Sequence, residues 1–210
     1  MNNSVKNTAR LLGAGLRALL ALTLATGVLY PLAVTGIAQG LFPGKPNGSE
    51  ITSDGRVVGS SLIGRQDYGP DYFQPRPANG LGENSLNTRY KLILSGATNL
   101  SADNEKLVAA VRAAKAEVVK ENSTAGHRVN PADVPADAVT SSGSGLDPDI
   151  SPQYAGLQVH RVAERNHLSV ARVQRLVDRH TEGRTLGFMG EPRVNVLELN
   201  IALKGLLAKE

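Results

Sequence analysis

The chain begins with an uncharged apolar run that is long enough to cross a membrane. Between Ala18 and Ala38 the sequence reads ALLALTLATGVLYPLAVTGIA. A helix needs about 20 apolar residues to cross the hydrocarbon core of a bilayer. The run has to be helical there, since lipid offers its backbone groups no hydrogen-bond partner. We therefore predict a transmembrane helix over residues 18–42, after a tail over residues 1–17 and before a main domain over residues 43–210.

A proline lies within the predicted span. Pro31 has no backbone N–H, and its ring crowds the carbonyl group four residues earlier, at Gly27. We therefore predict a kink between these two residues, unless a neighbouring helix holds the span straighter. Small and hydroxyl side chains let membrane helices approach closely and bond to each other. The residues predicted to pack against a neighbouring helix are Thr23, Gly27, Ala33 and Gly36.

The basic residues around the span predict its orientation. Lys6, Arg10 and Arg17 precede the span without an acid among them, whereas Lys45 is the only base close behind it. Because basic flanks stay in the cytoplasm, we expect a cytoplasmic N-terminus and an extracytoplasmic main domain. A cleaved signal peptide would have a shorter apolar core and a small-x-small cleavage site. The run ends in TGIAQ, without an A-x-A pattern, which favours an anchor.

Composition narrows the setting of the main domain. Hydrophobic residues make up 41% of the 210 residues, so a sizeable core is expected outside the span. The absence of cysteine excludes disulfides and thiolate chemistry, and suits a bacterial periplasm. The net charge of +4 lies partly in the tail and is too small to indicate nucleic-acid binding. We expect a single-pass protein of a bacterial inner membrane, in contact with lipid, with a periplasmic main domain.

The pattern along the main domain predicts an α+β fold, dominated by helices and with a small sheet. The β-rich stretch Arg56–Gly64 predicts a strand or hairpin arm, and Tyr72 and Phe73 are expected to anchor an irregular loop in the core. The predicted helices run over about Asp103–Glu121, from Pro152 after the N-cap Ser151, from the N-cap Ser169 to Gly183, and from Pro192.

A loop rich in glycine and hydroxyl residues is the best candidate for a site. Thr140–Pro152 reads TSSGSGLDPDISP. Such a loop can point several backbone N–H groups at one anion. The other interpretation is a tight connection, in which Gly143 and Gly145 supply positive φ angles and Asp147 caps a turn. The sequence leaves both interpretations open.

Known catalytic patterns are missing from the sequence. It has no phosphate-binding G-x-x-x-x-G-K-[ST] motif, and Ser144 has the wrong glycine spacing for a nucleophile elbow. The four histidines form no metal-binding pattern, so no metal is expected. Two other classes stay open. One is a membrane-tethered periplasmic serine hydrolase, with a serine of residues 141–144 as nucleophile and His160 or His167 as base. The other is a stand-alone binding module.

Three arginines recur along one predicted helix. Arg172, Arg175 and Arg179 form a basic stripe beside the apolar face of that helix. A solvated helix face explains such a stripe. It also suits docking on anionic lipid or on an acidic subunit.

Motifs along nearly the whole chain resemble one known family. They are GSSLIG at residues 59–64, YF at 72–73 with RP at 76–77, SG at 95–96 with NL at 99–100, SGSGLDP at 142–148, and GEPRVNVLELN at 190–200. Together with the N-terminal span, they closely resemble the C subunit of the Kdp potassium-transporting P-type ATPase. Arg65, Asp67 and Asp149 depart from the usual residues of that family, outside its longest motifs.

The resemblance implies an accessory role in an ATP-driven potassium uptake pump. The partners it implies are a channel-forming subunit, an ATP-hydrolysing subunit and a very small stabilising subunit. It also implies that this chain has no hydrolytic site, stabilises the complex, and acts as a catalytic chaperone that raises the ATP affinity of the hydrolysing subunit. No tightly bound cofactor is expected, and ATP would be met only through the complex.

The resemblance further implies a set of nucleotide-related residues, namely Ser142, Gly143, Ser144, Gly145 and Gln158. This implication conflicts with the predicted orientation. ATP is cytoplasmic, whereas the loop is expected outside the cytoplasm. Both can hold only if coupling runs through the membrane helix.

Overall fold

The chain divides into two compact units, Met1–Glu50 and Ile51–Glu210. The computed structural model describes residues 2–66, 68–78, 82–83 and 93–208. The first unit is one helical stretch made of α1 (Asn2–Leu24), a π-helical turn (Ala25–Leu29) and α2 (Tyr30–Leu41). The helical stretch Ser4–Leu41 is long and apolar enough to cross a membrane, and its most apolar 18 residues are not buried against other parts of the chain. The helix therefore extends well before the predicted start of the span.

The π-helical turn overlaps the stretch between Gly27 and Pro31 in which the kink is predicted. The N–H of Tyr30 donates to the carbonyl of Ala25, five residues earlier, where an α-helix would reach back four. This wider turn changes the helical bonding pattern beside the carbonyl that the proline ring would otherwise crowd. The hydroxyl of Thr26 donates to the carbonyl of Leu22 at 2.7 Å and supplements the bonding of the same turn.

The second unit is α+β, as predicted, and in its described residues helices dominate three small sheets. Its strands are β1 (Glu50–Ser53), β2 (Arg56–Ser60), β3 (Gly82–Glu83), β4 (Ile93–Leu94), β5 (Asp149–Ile150), β6 (Thr181–Glu182) and β7 (Arg193–Asn195). Its helices are α3 (Glu105–Asn122), α4 (Pro152–Arg165), α5 (Val170–Arg179) and α6 (Val196–Leu207). β1 pairs with β2, β3 pairs with β4, and the third sheet has the antiparallel order β5-β7-β6.

Two predicted helix boundaries are wrong because the third sheet takes up the residues concerned. The last helix does not open at Pro192, since Val194 pairs with both Ile150 and Thr181 in the middle of the sheet. The helix α6 begins after β7, where the side chain of Asn195 caps it. Likewise α5 ends at Arg179, before the predicted Gly183, because the next residues pair in β6.

Other local signals are confirmed. The helix predicted over about Asp103–Glu121 is α3, and Ser151 caps α4 by accepting from the N–H of Tyr154 at 3.0 Å. The core lies where α4, α5, α6 and β7 meet. Its largest fully buried side chains are Phe73, Gln158, Val159, Val162, Val173, Val177, Val194, Leu199 and Leu203. Phe73 is thus a core residue, as predicted.

Candidate functional site

The loop over Thr140–Pro152, called the hydroxyl–glycine loop below, has several hydrogen bonds between its own residues. The hydroxyls of Ser142 and Ser144 lie 3.3 Å apart, and the Ser144 hydroxyl accepts from the N–H of Leu146 at 3.0 Å. The N–H of Gly145 donates to the carbonyl of Ser142 at 3.2 Å. Two N–H groups that an anion-binding loop would offer are therefore used inside the loop.

The same loop joins two distant segments of the domain. The carbonyl of Ser144 accepts from the N–H of Gly96 and from the hydroxyl of Ser95, each at 3.0 Å. The carbonyl of Leu146 accepts from the N–H of Gly64 at 2.7 Å. A Cβ atom at position 64 would lie 2.4 Å from the carbonyl oxygen of Asp147, so only glycine fits. Sequence reasoning missed this junction, although all three segments belong to the resemblance motifs.

Only one of the two loop glycines has the predicted backbone conformation. Gly145 has a φ of 68°, in the left-handed region that favours glycine. Gly143 does not adopt a positive φ, and a Cβ atom there would meet nothing within 4 Å. The prediction that Gly143 supplies a positive φ is therefore wrong, because this turn places a single residue in the left-handed region.

Asp147 caps a turn within the loop, as predicted. One of its carboxylate oxygens accepts from the N–H of Asp149 at 3.0 Å. The other oxygen lies 2.8 Å from Nη1 of Arg76, in an ion pair whose side chains are 23% and 30% exposed. The guanidinium of Arg76 also reaches the carbonyl of Thr140 at 3.5 Å. Arg76 therefore bonds both to the first residue of the loop and to Asp147, which follows its two glycines.

A second carboxylate links the loop to the sheet. Asp149 bonds to Nε of Arg193 at 3.1 Å and to the side-chain amide of Asn195 at 3.2 Å. Burial raises the pKa of the Asp149 carboxyl, and the positive charge of Arg193 opposes that rise. Asn195 also donates to the carbonyl of Ser61 at 2.9 Å, which ties the segment after β2 to the same point.

Gln158, the fifth nucleotide-related residue implied by the resemblance, lies in the core. Its side chain is fully buried, and its amide forms a pair of hydrogen bonds with the backbone of Gln74. Its carbonyl oxygen also accepts from Nη2 of Arg161 at 2.7 Å. The amide is therefore engaged with protein, whereas Gly143 and Ser144 of the loop are exposed.

The irregular segment over residues 70–74 is held by polar side chains, buried or half-buried, that sequence reasoning missed. Arg161 donates to the carbonyls of Pro70 and Tyr72 and to the side chain of Asn122. Burial lowers the pKa of the Arg161 guanidinium. Asn166 donates to the carbonyl of Asp71 at 2.7 Å. The sequence signal that could have revealed these contacts is the presence of polar residues on helix faces that are otherwise apolar.

His160 and His167, the candidate bases of the hydrolase alternative, lie in different surroundings. His160 stacks on His127, with ring centroids 3.8 Å apart and planes within 7° of parallel. Burial lowers the pKa of His160, and His127 lowers it further. His167 follows α4 with a φ of 56°. Among residues 2–66, 68–78, 82–83 and 93–208, no group of three or more His, Cys, Asp or Glu is placed to hold a metal ion.

The residues predicted to contact other molecules lie on exposed surfaces. Thr23, Gly27, Ala33 and Gly36 are exposed on the first helical unit. In the second unit, Arg175 and Arg179 are exposed on α5, and Nε of Arg179 donates to the carbonyl of Arg175 at 3.1 Å. Arg172 is half-buried on the same helix. Their roles in packing and docking stay predictions.

In the part of the chain that the structure describes, one candidate membrane helix and a helix-dominated α+β domain fit a single-pass membrane subunit. Comparison with known protein families then identifies the family. The family model described as "KdpC: K+-transporting ATPase, c chain" matches residues 12–205. The chain belongs to the KdpC family.

Individual relatives agree with the family assignment. A potassium-transporting ATPase KdpC subunit of Streptomyces avermitilis is 72% identical over 221 aligned positions, which cover 99% of each chain. The corresponding subunit of Streptomyces coelicolor is 67% identical over 99% of this chain and 98% of its own. That of Mycobacterium tuberculosis is 47% identical over 90% of this chain and 94% of its own.

Proposed function

We propose that this chain is a non-catalytic accessory subunit of an ATP-driven, high-affinity potassium uptake pump. Its relatives are named as subunits of a potassium-transporting ATPase. In this proposal it stabilises a complex with a channel-forming subunit, an ATP-hydrolysing subunit and a very small subunit. It raises the ATP affinity of the hydrolysing subunit through assembly, and ATP is not bound tightly by the chain itself.

The bonding of the hydroxyl–glycine loop supports this indirect role. The N–H groups of Gly145 and Leu146 donate inside the loop, and the carbonyl of Ser144 holds Ser95 and Gly96. Gln158 is buried against Gln74. Binding a phosphate with these N–H groups, or with the Gln158 amide, would require breaking hydrogen bonds that the loop and the core already make. Residues 142–146 also contain no lysine or arginine to neutralise the charge of a phosphate.

Assembly is tested by co-purification from native membranes in mild detergent. The tagged full-length chain should bring down the channel-forming and ATP-hydrolysing subunits. Complexes prepared with and without the chain should differ in KM for ATP, with the higher KM in its absence. A lone protein that a serine-reactive probe labels would contradict the proposal and favour the hydrolase alternative. Equal KM values with and without the chain would contradict the chaperone role.

We further propose that the N-terminus is cytoplasmic and the main domain periplasmic, with the chain in a bacterial inner membrane. The basic residues that precede the apolar run starting at Ala18, and the candidate membrane helix that contains this run, support this topology. The chain has no native cysteine, so a Ser142→Cys variant carries a single thiol. That thiol should react with an impermeant reagent once the outer membrane is permeable. Labelling only after lysis of the inner membrane would overturn the orientation and restore direct access to ATP.

A further inference from the structure

A turn between α5 and α6 exposes three large apolar side chains. It spans residues 184–191, closed by the antiparallel bridge between Thr185 and Met189, and is called the 184–191 hairpin below. Leu186 is 79% exposed, Phe188 71% and Met189 48%. Contiguous exposed apolar side chains of this size mark sites of interaction with other molecules.

The backbone of the 184–191 hairpin is bonded into one conformation. Thr185 and Met189 exchange both backbone bonds, at 2.8 and 2.9 Å, and the N–H of Gly187 donates to the carbonyl of Arg184 at 3.0 Å. Leu186 has a φ of 55°, a conformation that a bulky side chain rarely adopts. Strained residues that the surrounding bonds hold in place occur preferentially at functional positions. The apolar side chains are thus presented on a preorganised turn.

The charges at the base of the hairpin are paired with each other. Arg184 lies 2.7 Å from Glu191, and Arg193 lies 2.6 Å from Glu182. Binding to anionic lipid headgroups depends on basic side chains that face the membrane. Because these two arginines are paired with acids, the balance of charge around the hairpin favours an apolar protein surface over headgroups.

The size of the apolar patch indicates what kind of protein contact it can make. Three side chains offer only a few hundred Å², whereas a stable interface buries about 800 Å² on each partner. A second copy of the chain, held by this patch alone, would therefore not stay bound. A partner already kept in the same assembly needs much less area, because its effective concentration is high.

We propose that the 184–191 hairpin docks into an apolar groove on another subunit of the potassium-transporting ATPase. The inference rests on the proposed function, which supplies the assembly. Phe188 and Leu186 enter the groove, and the ion pairs at the base form its polar rim. Since these side chains are exposed in the single chain, docking contributes to assembly and little to the stability of the domain itself.

A substitution at Phe188 separates these effects. In the full-length chain, Phe188→Gln should reduce co-purification of the other pump subunits by at least about fivefold, the size expected from losing one buried aromatic contact. Val170→Gln is the matched control, since Val170 is 40% exposed on a different element, and it should leave assembly unchanged. The thermal midpoints of the chain alone should be the same for both variants. Unchanged co-purification of Phe188→Gln would overturn the proposal.

A photo-crosslinking side chain at position 188 identifies what the hairpin contacts. Within the complex in native membranes, it should form an adduct with the channel-forming or the ATP-hydrolysing subunit. Adducts with lipid only, or with a second copy of the chain, would overturn the docking proposal while leaving accessory function intact. Failure of the unmodified chain to co-purify with any pump subunit would instead contradict the proposed function, so the two failures are distinguishable.

Discussion

The side-chain amide of Asn200 bonds to both backbone polar groups of Phe73, accepting from its N–H and donating to its carbonyl at 2.9 Å each. Gln158 repeats this pattern on the next residue, Gln74, at 2.7 and 3.1 Å. Two helices thus provide amide side chains that pair with the backbone of this irregular segment as a neighbouring strand would. A buried backbone without such partners would lose free energy for every unpaired group.

Replacement of Asn200 by leucine should be strongly destabilising. The Asn200→Leu variant would leave the buried N–H and carbonyl of Phe73 without partners, at a cost of about 3 kcal/mol in the free energy of unfolding. Urea unfolding of the full-length chain in detergent measures the change. Gln174→Leu, on the exposed face of α5, should change stability by no more than about 0.5 kcal/mol. Equal effects of the two substitutions would show that the amide pairing contributes nothing.

Replacement by alanine should change the stability of the domain very differently at two glycines of the resemblance motifs. Gly64→Ala would place a Cβ atom 2.4 Å from the backbone carbonyl oxygen of Asp147, which cannot rotate away. We expect a loss of about 3 kcal/mol, typical of severe overpacking. Gly143→Ala meets open space and should stay within about 0.5 kcal/mol. Thermal unfolding of both variants provides the comparison, and a larger loss at position 143 would contradict the junction described here.

The stacked pair of His127 and His160 should make the domain less stable in mild acid. The pKa of His160 is lowered in the folded chain, first by burial and then by His127, so folding favours its neutral form. This stability is present above the ordinary pKa of about 6.5 and is lost as the pH falls through the folded value. The free energy of unfolding should therefore decrease between pH 7.5 and pH 5, and by less in a His160→Gln variant.

The pair can also be tested by following the ring directly. In a His127→Gln variant, the pKa of His160 measured by NMR should move up towards 6.5 without reaching it, since burial is the larger cause of the shift. A pKa that does not change would mean that the neighbouring imidazole has no electrostatic effect. A pH dependence that is identical in all the variants would assign the acid sensitivity to other groups.

The sequence predicted those features that depend on neighbouring residues. The cap of α4 at Ser151 follows from a few adjacent positions, and the structure contains it. The stretch before Pro31, where the kink is predicted, contains a π-helical turn. The start of the last helix was missed, because pairing of Val194 with two distant strands outweighs the local signal of Pro192. The amide pairs join residues 84 and 127 positions apart, so no local pattern includes both partners.

The membrane helix provides a prediction about assembly. Gly36 is exposed, and a Cβ atom there would meet nothing within 4 Å in the single chain. Gly36→Leu keeps the span apolar, so insertion should be unaffected, but its bulk should separate the helix from a close neighbour. We expect weaker co-purification of the other subunits after mild detergent extraction. Unchanged co-purification, with normal insertion, would show that no helix packs against this position.

The central claim is that the chain acts on ATP affinity without binding ATP tightly itself. A calorimetric titration of the full-length chain in detergent with ATP tests this claim. We predict weak binding of ATP or none. We also predict that Ser144→Ala lowers the free energy of unfolding by no more than about 1 kcal/mol, because it removes one acceptor for the N–H of Leu146 in an exposed loop. Pump activity should then stay largely intact. Micromolar binding of ATP by the chain alone, abolished by Ser144→Ala, would contradict the account and assign the loop a direct role at the nucleotide.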